Sequence, residues 1–168
     1  MNELARRIGE RLKARGLRLA TAESCTGGLV GHAVTRIAGS SAYYLGGAVT
    51  YSNGLKEQLL GVDPETIRRY GAVSGETAQA MAEGCRRLTG ADYTLAVTGI
   101  AGPGGGTPEK PVGTVCFGLT APGQGARDVR CRFRGDRSEI QIIAAATALD
   151  LLRRTLLNKT LDFHAKER

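Results

Sequence analysis

Segments with a helical apolar period alternate with short strand-like runs along this chain, and that alternation restricts its fold more than any other feature. Leu4, Ile8 and Leu12 recur at every fourth residue and predict a first amphipathic helix that ends near Gly16. Residues 17–21 read as a short strand. Glu23-Ser24-Cys25-Thr26-Gly27-Gly28 then leads into a helix with Leu29, Val30, Ala33, Val34 and Ile37 as its buried stripe, stopped by Gly39. Residues 44–51 read as a strand, which Ser52-Asn53-Gly54 breaks before a helical turn carrying Lys56, Leu59 and Leu60. Asp63-Pro64-Glu65 has the N-cap and N1-proline form of a helix start. Ser74 caps the next helix, which reaches about Leu88 with Ala78, Met81, Ala82 and Cys85 inward. Residues 93–98, 112–121 and 129–133 supply three more strands, the last two joined through Pro122-Gly123-Gln124-Gly125. Asp136 and Glu139 form a D-x-x-E cap for a long final helix with Ile140, Ile143, Ala144, Leu151 and Leu152 facing in.

Strands separated by helices pair in parallel, and the hairpin within 112–133 adds an antiparallel part. The expected fold is therefore α/β: a single-domain, three-layer α/β/α sandwich with a mixed sheet over residues 1–168. No linker, repeat or low-complexity segment divides it, and about 159–168 is expected as a frayed polar tail. A domain of this size buries roughly 70% of its unfolded surface, enough to dispense with a metal or disulfide.

Glycine is the outlying residue: there are 24 against 8 aromatic residues (5 Tyr and 3 Phe). That is well above the usual share of about 7%. Much of the excess sits at Gly27-Gly28 and in the run 99–106, which suggests backbone brought close to a ligand. The formal charge is +7, from 23 Lys and Arg against 16 Asp and Glu, and a basic surface attracts anions. No run of five basic residues and no aromatic interleaving occurs, which argues against a nucleic-acid partner. Four cysteines form no C-x-x-C pair, and with His32 and His164 they offer no metal-ligand spacing. No metal or cofactor is expected, and the thiols read as reduced in a cytoplasmic protein. The N-terminus does not have the form of a secretory signal, and no apolar stretch approaches the ~20 residues of a membrane span. The expectation is a soluble protein without a membrane partner, and a homo-oligomer by base rate.

Four segments carry candidate chemistry, each placed after a strand. In T-A-E-S-C-T-G-G, residues 21–28, Ser24 stands at a strand-to-helix corner, where the N–H groups of the next helix suit an oxyanion or phosphate. The alternative is that Ser24 or Thr26 merely caps that helix. In Y-S-N-G-L-K, residues 51–56, Lys56 can act as base if burial lowers its pKa, with Tyr51 and Asn53 beside it. His32 inside a helix and His164 in the tail are poor base candidates; otherwise Lys56 is a solvated surface lysine. T-G-I-A-G-P-G-G-G-T, residues 98–107, has Gly105 where a P-loop needs lysine and Thr107 where a dinucleotide fingerprint needs glycine. It remains an anion nest or a flexible loop. In R-G-D-R, Arg137 either forks onto a phosphate or carboxylate or is an exposed first-turn arginine. These segments make Thr26, Gly27, Gly28, Asn53, Gly99, Gly102, Gly104 and Gly105 candidate substrate-binding residues. Cys25 is a rival nucleophile, set aside because a residue next to the serine normally points elsewhere.

T-A-E-S-C-T-G-G-L, G-S-S-A-Y, T-Y-S-N-x-x-K, G-A-V-S, T-G-I-A-G-P-x-G-G, K-P-V-G-T-V and G-D-R occur in that order, and together they resemble the CinA C-terminal domain family, which includes stand-alone nicotinamide-nucleotide amidases. The resemblance implies deamidation of nicotinamide mononucleotide to nicotinate mononucleotide and ammonia by a serine–lysine hydrolase without metal or organic cofactor. It further implies Ser24 as nucleophile and Lys56 as general base with Tyr51 beside it, while Thr98 and Arg137 hold the substrate or stabilise the reacting group. The companion molybdopterin-binding-like domain of full-length family members is missing, which suggests the stand-alone form. Two alternatives stay open: a nucleotide-binding or regulatory module without turnover, and an amidase acting on a related amide.

Overall fold

The computed structural model describes residues 1–158; the tail expected at 159–168, with His164, lies outside them. In chain order the elements are α1 (Asn2–Ala14), β1 (Leu19–Glu23), α2 (Leu29–Thr35), β2 (Tyr44–Val49), α3 (Asn53–Leu60) and α4 (Pro64–Tyr70). Then follow α5 (Gly75–Thr89), β3 (Tyr93–Gly99), β4 (Thr114–Ala121), β5 (Gln124–Arg132) and α6 (Arg137–Leu156). The sheet order is β2-β1-β3-β4-β5, with β1 parallel to both β2 and β3, and β4 antiparallel to β3 and β5. This is the expected mixed sheet. The parallel strands bring the carboxyl ends of β1, β2 and β3 to one edge.

The two faces of the sheet are packed differently. One face carries Leu19, Leu95, Val97, Val115 and Phe117 and packs with residues of α1, α2 and α6. The other presents Ala20, Ala22 and Ala96 to Met81, Ala82 and Cys85 of α5 and to Leu60 of α3. Small residues here let α5 ride close on the sheet. A Cβ added at Gly118 would lie 2.0 Å from the Ala78 carbonyl oxygen, and one at Gly84 would lie 1.9 Å from that of Leu60. Neither backbone oxygen can swing aside as a side chain could. Alanine favours a helix over glycine by about 1 kcal/mol, but overpacking costs about 1–3 kcal/mol. With a backbone oxygen only 1.9 Å away, the balance predicts that Gly84→Ala lowers the urea midpoint and destabilises by up to about 2 kcal/mol. A midpoint at or above that of the unmutated chain would contradict close packing of α3 on α5.

The local caps form as expected. Asp63 caps α4 with Pro64 in its first turn, Ser74 caps α5, and Asp136 with Glu139 makes a reciprocal capping box on α6. Other boundaries differ from the expectations. β1 starts at Leu19 instead of 17 because the Leu17 N–H still closes α1 on the Leu12 carbonyl. β4 starts at Thr114, just after Gly113 at φ 91°. β5 starts at Gln124 instead of 129: it is an edge strand, largely exposed, and its polar first half has no apolar alternation to announce it. Ile143, expected inward, is 39% exposed, and Ala145, Ala148 and Leu149 join the buried face of α6. Among the described residues no helix is long and apolar enough to cross a membrane.

Candidate functional site

Open sheets with parallel strands bind ligands beyond their carboxyl ends, and the chemistry-bearing residues collect there. Beyond the last residue of β1, the Ser24 N–H donates to the Val97 carbonyl of β3 (2.9 Å), and the Thr50 N–H donates to the Glu23 carbonyl (2.7 Å). Ser24 is thus pinned between the ends of two neighbouring strands.

Lys56 arrives from α3, whose N-terminus is set by Ser52: its Oγ accepts the Leu55 N–H at 3.1 Å. The lysine is 1% exposed. Its Nζ donates to the carbonyl oxygens of Thr50 (2.8 Å) and Tyr51 (3.4 Å) and stands 3.2 Å from Ser24 Oγ. Among the described residues no carboxylate lies within ion-pair distance of it. Burial holds the Lys56 pKa below the usual lysine value. Only a Cys25 thiolate would oppose that shift, and burial pushes the Cys25 thiol up to about 12. At neutral pH the thiol is uncharged, so desolvation of Lys56 stands alone. A neutral amine spends two N–H groups on the two carbonyls, which leaves its lone pair for the Ser24 hydroxyl. The same burial disfavours the Cys25 thiolate and so argues against Cys25 as a rival nucleophile.

Ser24 and Lys56 open into a pocket of about 220 Å³. Tyr51, Asn53, Val73, Thr98, Gly99 and Arg137 also line it. Arg137, the first residue of α6, donates from Nη1 to the Gly102 carbonyl (2.7 Å) and from Nη2 to the Tyr51 hydroxyl (2.8 Å). It therefore ties the glycine loop to Tyr51, two residues beyond the end of β2. Tyr51 holds the lysine through its main-chain carbonyl, while its side chain is 60% exposed and turned to Arg137. Thr98 is buried, and its hydroxyl donates to the Ala72 carbonyl (2.8 Å), so only oxygen lone pairs remain to face a ligand. A wider, open depression near Glu83, Arg86, Arg87 and Asp92 lies toward the opposite end of the sheet from this cluster.

The N-terminus of α2 differs from the expectation of free N–H groups. The Glu23 carboxylate, 2% exposed, takes the N–H groups of Gly28 (3.0 Å), Val30 (3.1 Å) and Gly31 (2.8 Å) and the Thr26 hydroxyl (2.7 Å). Gly27 donates to the Ser24 carbonyl. Thr26, Gly27 and Gly28 therefore do not line the pocket, because a resident anion already fills that terminus. Asn53 and Gly99 do line it. Gly102 reaches the site only through its carbonyl, and Gly104 and Gly105 are exposed and outside the lining. Close packing within the loop explains part of its glycine content: a Cβ at Gly102 or Gly106 would lie 2.7 Å from Val112. Sequence reasoning missed Glu23. The available signal was an acid placed just ahead of a helix N-terminus, where negative charge is favoured.

The family model of the CinA C-terminal domain matches residues 1–156. A CinA-like protein of Citrifermentans bemidjiense is 52% identical over 157 residues, and one of Myxococcus xanthus is 51% identical over 148. These alignments cover 94% and 88% of this chain but only 38% and 35% of those relatives, so the chain spans little more than a third of their length. The competence/damage inducible protein CihA of Agrobacterium tumefaciens superposes with a TM-score of 0.89 at 46% identity, covering 93% of this chain and 94% of that one. The competence damage-inducible protein A of Klebsiella pneumoniae superposes with a TM-score of 0.90 at 40% identity, covering 95% and 98%. The order of motifs, the sheet and the match over residues 1–156 agree: the chain belongs to the CinA C-terminal domain family.

Proposed function

We propose that the chain hydrolyses the carboxamide of nicotinamide mononucleotide, releasing ammonia and nicotinate mononucleotide, with Ser24 as nucleophile and Lys56 as its base. The observation that carries this reading is a buried amine, without a carboxylate partner among the described residues, 3.2 Å from a serine hydroxyl in a pocket. Neutral Lys56 takes the Ser24 proton as Oγ attacks the carboxamide carbon. The carbonyls of Thr50 and Tyr51 then stabilise the ammonium that forms. Cys25 lines the pocket, and its amide N–H, which donates to no carbonyl among the described residues, is the donor left to meet the oxyanion. One such donor is worth about 3 kcal/mol. Lys56 returns its proton to the departing ammonia, and water releases the acyl group from Ser24 by the same route.

A volume of 220 Å³ is below the roughly 300–1,000 Å³ of pockets for drug-sized ligands. That size favours entry of the pyridine carboxamide alone, with the ribose phosphate toward Arg137 at the mouth. A reducing cytosol and a homo-oligomer complete the proposal. The test is ammonia release from nicotinamide mononucleotide, nicotinamide riboside and nicotinamide. The mononucleotide is expected to react fastest, since only it carries an anion for Arg137. Release from none of the three overturns the amidase reading, and equal release from the riboside moves it to a related amide.

A further inference from the structure

We infer that Glu23 is a positioning residue for the nucleophile, its buried carboxylate clamping the turn that presents Ser24 to Lys56. This rests on Ser24 being the nucleophile. Helix caps are ordinarily supplied by the N-cap residue itself. In α2 that residue is Gly28, which has no side chain, and the cap comes instead from Glu23, on the far side of Ser24. One oxygen, Oε2, takes the Thr26 hydroxyl and the N–H groups of Gly28 and Val30, and Oε1 takes the Gly31 N–H. The end of β1 and the start of α2 are thus bound to each other across residues 24–28. The same residue reaches the base by its main chain: the Glu23 carbonyl accepts the Thr50 N–H, and the Thr50 carbonyl accepts Lys56 Nζ.

A Cβ at Gly31 would lie 2.7 Å from the Tyr44 hydroxyl, which would have to give way, and in ordinary contact with Glu23 Oε1 at 3.5 Å. A group that accepts from donors on both oxygens and donates to none matches an ionised carboxylate. Glutamine has nearly the same shape, but either orientation of its amide points an N–H at an N–H. Displacing a reacting group by about 1 Å costs about 100-fold in rate.

The test follows sulfonylation of Ser24 by phenylmethylsulfonyl fluoride, located by peptide mass spectrometry, across pH. It compares the unmutated chain, Glu23→Gln and Glu23→Asp, with each rate divided by the folded fraction from circular dichroism. Glu23→Gln is expected to slow labelling per folded molecule about 100-fold without moving the midpoint of its pH dependence. Glu23→Asp, which keeps the charge, is expected to recover about tenfold of that loss. Thr26→Val removes a single donor and is expected to slow labelling about tenfold, which supplies the readout if Glu23→Gln does not fold. Unchanged rates per folded molecule in Glu23→Gln, or in Thr26→Val where the former is unfolded, overturn the positioning role. So does a shifted pH midpoint with an unchanged maximal rate, because Glu23 would then act on Lys56 through its charge. Absence of labelling at Ser24 in the unmutated chain refutes the nucleophile itself, an outcome visible before any variant is compared.

Discussion

Ser24→Ala is expected to give a folded protein whose ammonia release from nicotinamide mononucleotide falls by about 10⁴-fold or more, the loss typical of a removed serine nucleophile. The hydroxyl of Ser24 has Lys56 Nζ as its hydrogen-bond partner. Removing it deletes one hydrogen bond, worth about 1 kcal/mol, and leaves the pinning bond from the Ser24 N–H to Val97 intact. Thermal unfolding should therefore shift little while turnover collapses. A variant that keeps more than about a tenth of the parent rate cannot have lost its nucleophile, and the covalent mechanism would be abandoned.

Lys56→Met is expected to cost about as much turnover, about 10⁴-fold or more, and it also changes how stability depends on pH. In the parent, catalysis needs the neutral amine, so the rate falls as pH drops through the lowered Lys56 pKa. That acid limb should be present in the parent and should appear below the usual lysine value of 10.5. Stability follows the same group. Between the lowered folded value and 10.5, the unfolded chain binds the proton and the folded chain does not, so parent stability rises with pH across that window. Below it, the penalty of a buried ammonium is constant. Methionine has no proton to bind, so its stability relative to the parent should improve as pH falls through the window, by about 1.4 kcal/mol per unit at most. Paired urea titrations at several pH values measure the difference. A difference that is flat across the window would show that Lys56 has an ordinary pKa, and the general-base role would lose its basis.

Several features were legible locally because their physics is local. The caps at Asp63, Ser74 and Asp136 each depend on side chains within a few residues of the N–H groups they meet. The alternation of strands and helices announced the mixed sheet, since each apolar face needs a partner layer. The start of β5 was not legible, because an exposed edge strand can be polar throughout its first half. Nor was the exposure of Ile143, because the buried arc of α6 is set by where α1 and α2 cross it. The loop glycines were read as ligand contacts, yet Gly102 and Gly106 also answer to the approach of Val112.

The candidate site divides in the same way. Ser24 at a strand-to-helix corner, Lys56 just beyond a strand, and Arg137 at a helix start were visible as residue types in context. Their meeting was not. Ser24 and Lys56 become neighbours because β1 and β2 pair in parallel register, with Glu23 opposite Val49, and because the chain then turns back through Thr50 and Tyr51. The layers and the caps follow from short-range periodicity and local hydrogen bonding, and the reactive groups are supplied by residue type alone. Long-range packing gives the α2 terminus to Glu23, turns the Tyr51 hydroxyl to Arg137 and strips Lys56 of water. Those outcomes depend on distances between strands that no spacing along the chain can set.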